Sequence, residues 1–174
     1  MKLLIAVTGG VAALAYGCSR AGAEQDRDVL PEHRVAQGVR QACDERLPSS
    51  FAELTRVFGE PTIHTVERLP NRHVDEQVDE HHRLLLPGAE ARFIVTGGSA
   101  PSFILQSLRI HATGAALQPQ RWIGARLSEL QNAWGPPSWS EGQRVFYSCG
   151  ETDDLAIEVP EGIVRSIEWR PYVD

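Results

Sequence analysis

The sequence predicts an α+β fold of tandem duplicated helix-plus-antiparallel-sheet units, with about eight strands backed by helices. Three observations lead there. The residues Phe51-Ala-Glu-Leu-Thr-Arg-Val-Phe-Gly-Glu-Pro-Thr62 return 76 positions later as Leu127-Ser-Glu-Leu-Gln-Asn-Ala-Trp-Gly-Pro-Pro-Ser138, with Glu53/Glu129, Leu54/Leu130, Gly59/Gly135 and Pro61/Pro137 identical. Self-similarity at such a period marks a repeated supersecondary unit. Each copy is followed by short apolar stretches separated by Gly and Pro turns, the pattern of strands. The last strands of the copies also match, Leu105-Gln-Ser-Leu-Arg-Ile110 against Val164-Arg-Ser-Ile-Glu-Trp169.

Taken in order, residues 1–17 read as a signal peptide: a basic Lys2, then an apolar stretch from Leu3 to Ala15 that is too short for a stable transmembrane span. Its end reads two ways. Ala15-Tyr16-Gly17-Cys18 resembles a bacterial lipobox, in which Cys18 would be lipidated, whereas Ala21-Gly22-Ala23 would extend a simple secretory signal to residue 23. Ser19 after the cysteine, rather than Asp, implies by resemblance to bacterial lipoproteins an outer-membrane destination. Residues 18–31 are small and polar, as a flexible tether would be. The first repeat then occupies 32–112 with an N-terminal helix, and the second 113–174.

In the first repeat, a helix from about Glu32 to Arg46 places Val35, Val39 and Ala42–Cys43 on one stripe. A second helix begins at Ser50, which can cap it while Glu53 reaches back from the capping-box position. Its Phe51, Leu54, Val57 and Phe58 share one face, and Gly59 and Pro61 stop it. Strands follow near Thr62–Arg68, Val78–Leu86, Ala91–Thr96 and Phe103–His111. In the second repeat, Arg126 stands where Ser50 stood, so the capping box is lost ahead of a helix at Leu127–Trp134. Strands are expected near Ser138–Ser140, Arg144–Cys149, Leu155–Val159 and Ile163–Arg170.

A chain of 174 residues can bury roughly two-thirds of its unfolded surface, so no cofactor or metal is needed to hold it together. Its net charge of −6 argues against a nucleic-acid partner, which would require a basic surface. Once Cys18 is lipidated or cleaved away, only Cys43 and Cys149 remain, an even pair in an oxidising compartment. A disulfide between them is expected; no Cys-x-x-Cys or neighbouring His supports the alternative of a catalytic or metal-binding thiol.

Strand alternation then assigns faces. With Cys149 turned toward Cys43 and the helices, Val145 and Tyr147 point inward and Arg144, Phe146 and Ser148 outward. Leu155, Ile157 and Val159 are an inward set, with Ala156 and Glu158 outward. Ile104, Leu108, Ile110, Ile163, Ile167 and Trp169 are expected to be buried, leaving Phe103, Leu105, Arg109, His111, Val164, Glu168 and Arg170 on the open side. The candidate partner-binding residues are Phe103, Arg109, His111, Arg144, Phe146, Glu158, Glu168 and Arg170, a mixture of aromatic, arginine and acid that suits a protein interface. Trp122, Trp139 and Tyr172 are open between satellite packing and surface recognition.

Templates for catalysis fail on inspection: there is no Gly-x-Ser-x-Gly elbow, phosphate loop or His-Glu-x-x-His. The most polar stretch runs from His64 to His82, where His73, Asp75, Asp79 and His81 alternate and could share a strand face. Neighbours two apart on a strand lie about 7 Å from each other, too far for a compact tetrahedral site without another element. A solvated acidic hairpin is the expected reading, with no metal and no catalytic residue.

Ile123-Gly-Ala-Arg-Leu-Ser-Glu-Leu-Gln-Asn-Ala-Trp-Gly-Pro-Pro137, followed by Gly162-Ile-Val-Arg-Ser-Ile-Glu-Trp169, resembles the repeat of the β-lactamase-inhibitor-protein-like and BamE-like envelope proteins. The likeness spans about Ser49 to Arg170; the first copy keeps Glu53-Leu54 and Gly59-Glu60-Pro61 but has no Ile-Gly start. A tandem pair looks more like the inhibitor proteins, which bind a target enzyme on the concave sheet, while the BamE type has one unit and assists outer-membrane assembly. The expectation is therefore a non-enzymatic periplasmic protein-binding lipoprotein that inhibits or neutralises an enzyme or toxin. The alternative is an accessory lipoprotein of outer-membrane protein assembly or envelope maintenance.

Overall fold

The computed structural model describes residues 38–113, 117–150 and 153–171. After helical residues 38–43 come α1 (Phe51–Phe58), β1 (Ile63–Pro70), β2 (Val78–Leu86), β3 (Ala89–Val95) and β4 (Phe103–Ile110). A 3-10 turn (Gln118–Trp122) leads to α2 (Leu127–Trp134), β5 (Trp139–Glu141), β6 (Arg144–Ser148), β7 (Asp154–Glu158), a second 3-10 turn (Pro160–Gly162) and β8 (Ser166–Arg170). The strands form one eight-stranded antiparallel sheet in the order β1-β2-β3-β4-β8-β7-β6-β5. Two four-strand meanders thus meet at a short seam, Leu108↔Trp169, Arg109↔Glu168 and Ile110↔Ile167.

Both helices are held by local chemistry. Ser50 Oγ accepts the Glu53 N–H at 3.2 Å, but the Glu53 carboxylate reaches one residue further back than a capping box requires, accepting from Ser49 N–H and Oγ–H at 2.8 and 2.9 Å. Those bonds hold the Glu53 carboxyl below its usual range. Arg126 offers α2 no side-chain acceptor, and only the Glu129 half of the box survives, receiving the Arg126 N–H at 3.3 Å. Gly59 and Gly135 then end the helices at φ 88° and 87°, a region costly for any residue with a Cβ.

Leu54 and Phe58 of α1, with Leu130 and Trp134 of α2, pack on one face of the sheet against Leu84, Phe93, Leu108, Leu155, Ile157 and Ile167. The helical residues 38–43 complete this layer over the second half. A side chain at Gly38 would come within 2.5 Å of the Ala133 carbonyl oxygen, so glycine permits the close approach. Trp169 Nε1–H donates to the buried Ala42 carbonyl at 3.1 Å, and Cys43 is disulfide-bonded to Cys149 across a Cα separation of 5.2 Å. Beneath, Tyr147 donates its hydroxyl to the Gly135 carbonyl at 3.0 Å, and burial raises its pKa to about 12.

Three expectations are corrected. The helix carrying Cys43 ends there rather than at Arg46, and its expected beginning lies outside the described residues. Val164 is fully buried rather than open, because the Pro160–Gly162 turn and a single bridge between Ile163 and Arg126 delay β8 until Ser166. In β4, Arg92 faces Ser107 while Phe93 faces Leu105, so Gln106 is an extra residue in a β-bulge. A bulge reverses side-chain parity. Phe103 and Leu105 therefore pack against the core, Phe103 stacking on Phe93 at 4.4 Å, and half-buried Ile104 takes the opposite face.

Candidate functional site

The face turned away from the helices carries a single register row across every strand of the sheet. Ile63, Leu85, Glu90, Arg109, Glu168, Ala156, Phe146 and Trp139 lie opposite one another in succession. Apolar residues occupy both ends and an acid-arginine-acid set the centre. Strand alternation puts these side chains on one surface because each is a direct cross-strand partner of the next.

At the centre, Arg109 Nη2 donates to Glu168 Oε2 at 2.7 Å. That bond, with Glu158 and Glu90 nearby, holds the guanidinium firmly in its charged form. Glu90 accepts from Arg83 Nε at 2.8 Å and lies 3.4 Å from Arg92 Nη2, and the Arg83 bond lowers its carboxyl below the usual range. Glu90, Arg92, Ser107, Arg109 and Glu168 line a depression of about 140 Å³. This is smaller than the roughly 300 Å³ where small-molecule pockets begin.

Toward β5, the Trp139 and Phe146 rings stack at 4.7 Å and 6° from parallel. Trp139 is 43% exposed while Phe146 beneath it is only 3% exposed. Phe146 thus lies on the open face as expected, but Trp139 covers it. Arg144 is exposed opposite Glu158, which accepts from Ser166 Oγ at 3.1 Å. Arg170 is exposed opposite Asp154, and His111 is exposed just beyond β4. Phe103 does not belong to this surface, for the bulge turns it to the helix side. Trp139 is one of the three aromatic residues that the sequence leaves open, and its strand is only three residues long. Trp122 packs edge-on against Trp134 at 6.1 Å, while Tyr172 and the lipidation candidate Cys18 lie outside the described residues.

The stretch from His64 to His82 does not present its four polar residues on one strand face. His73 and Asp75 lie in the β1–β2 turn, and His81 stands on β2 opposite Glu67. Asp79 ties the turn together, accepting from Asn71 Nδ2, Gln77 Nε2 and Gly97 N–H at 2.7, 3.0 and 2.9 Å. The Gln77 and Gly97 bonds lead in lowering its carboxyl below the usual range. Among the described residues, no group of three or more His, Cys, Asp or Glu is arranged to hold a metal ion, and no helix is long and apolar enough to cross a membrane.

The chain matches no protein-family model, no curated protein and no solved structure.

Proposed function

We propose that this chain is a protein-binding module of the bacterial envelope, whose open sheet face grips and blocks an enzyme or toxin there. The register row from Ile63 to Trp139 carries the reading: a half-exposed tryptophan on a rigid aromatic support stands at one end of it, and an arginine already oriented by an acid at its centre. Buried aromatic and arginine anchors supply most of the energy of protein interfaces, and pre-orientation lowers the entropic cost of using them. Trp139, Arg144 and Arg170 make the outer contacts; Arg109, Glu168 and Glu158 set the charge pattern.

Two halves of helix plus four-strand meander, meeting at β4 and β8, fit a duplicated unit of the inhibitor-protein-like type. The disulfide fits an oxidising compartment, and the N-terminal sequence fits export with Cys18 as the lipid anchor at the outer membrane.

The test uses tagged protein as bait in envelope extract and assays the captured partner for activity with and without bait. Trp139→Ala combined with Arg170→Glu should abolish capture and inhibition while the circular dichroism stays native. Undiminished capture by that variant would remove the open face from the mechanism. Capture of outer-membrane assembly components, with no enzyme inhibited, would favour the assembly role instead.

A further inference from the structure

On the helix side of the sheet, away from the proposed interface, β1 and β2 bring two imidazoles together. His64 Nε2 and His82 Nδ1 are 2.9 Å apart. The ring centroids are 5.2 Å apart, little more than two ring radii added to that gap, so the nitrogens point at each other. Two facing imidazole nitrogens can share one proton or one metal ion.

The second nitrogen of His82 favours the metal. Its Nε2 is buried without a hydrogen-bond partner, and Glu80 Oε2 stands 3.5 Å away. Metal-ligating histidines almost always turn their other N–H toward a carboxylate or carbonyl, which fixes the tautomer that aims the lone pair at the ion. Glu80 is itself held by Arg68 Nε and Nη2 at 3.0 and 2.8 Å. His82 stacks on Phe93 at 4.6 Å with only 11% of its side chain exposed, so packing fixes the orientation of its ring.

We propose that His64 and His82 chelate a divalent ion of the imidazole-preferring class, Zn²⁺, Cu²⁺ or Ni²⁺, with Glu80 orienting His82. For a tetrahedral ion with N–metal bonds of 2.0–2.1 Å, the two nitrogens open to about 3.3 Å, a few tenths of an ångström beyond their present separation. His64, exposed on the edge strand, is the ring that swings. Water fills the remaining positions, or a ligand from a partner. The bound ion staples the edge strand to its neighbour.

The test is calorimetric titration of the mature chain with Zn²⁺ and Cu²⁺, alongside His64→Ala and Glu80→Gln. The expected result is one-to-one binding near micromolar Kd, a loss of at least about 100-fold in His64→Ala, and weakening of about 10–100-fold in Glu80→Gln. His64 is exposed, so its variant should keep the native circular dichroism. Heat that is absent up to 0.1 mM of either ion, or binding that survives His64→Ala, would overturn the site and leave the two rings as a hydrogen-bonded pair only. Unchanged affinity in Glu80→Gln would overturn the role given to Glu80.

Discussion

Replacing Cys43 and Cys149 together by serine opens a covalent loop spanning 106 residues. In the chain-entropy model, a loop of that length restricts the unfolded chain by about 4.8 kcal/mol at 25 °C. Little else in the native state compensates. Residues 38–43 are otherwise held chiefly by burial of Ala42, the Trp169 bond to its carbonyl and the close approach of Gly38 to α2. A hydrogen bond of that kind contributes about 1 kcal/mol. The double variant should therefore lose roughly 3–5 kcal/mol in guanidinium unfolding followed by tryptophan fluorescence, with a steeper denaturant dependence because its unfolded chain expands further. A loss below about 1 kcal/mol, or two free thiols in the unreduced wild-type chain, would refute the reasoning.

Two further outcomes follow from the same layer. Tyr147 is 2% exposed with its pKa raised from 10 to about 12, so the native state keeps a proton that the unfolded chain releases above pH 10. Stability is fully present below pH 10 and falls by about 2–3 kcal/mol as pH rises to 12; denaturant midpoints measured across that range should show the slope, and Tyr147→Phe should lack its contribution. Trp169→Phe removes the donor to the buried Ala42 carbonyl and should cost about 1–3 kcal/mol, with faster hydrogen exchange over residues 38–43 than over α1 as the local signature.

Much of this architecture was legible because its signals are local. The Gly-x-Pro stops after Phe58 and Trp134 mark both helix ends, and turn residues punctuate the strands. Parity of the cysteines pointed to their pairing, which then set the inward face of β6 correctly. The bulge at Gln106 was hidden because Phe103, Ile104 and Leu105 are all apolar, so either parity looked buried. Val164 was misplaced because, after the turn at Pro160–Gly162, Ile163 makes only a single bridge to Arg126 and regular pairing resumes at Ser166, so strand alternation does not reach Val164. Trp139 carried no decisive pattern, since three residues cannot display a period. That the two meanders join into one sheet rests on three residue pairs whose sequence separation leaves no local trace.

Site-specific photo-crosslinking in the bacterial envelope tests the central claim most directly. A benzophenone amino acid placed at Trp139, at Arg144 or at Arg170 should give one protein adduct of the same mass from all these positions. The same probe at Arg56 on α1 or Asn132 on α2, both exposed on the helix layer, should give none of it. That adduct arising from the helix positions while the sheet positions stay silent would contradict the account.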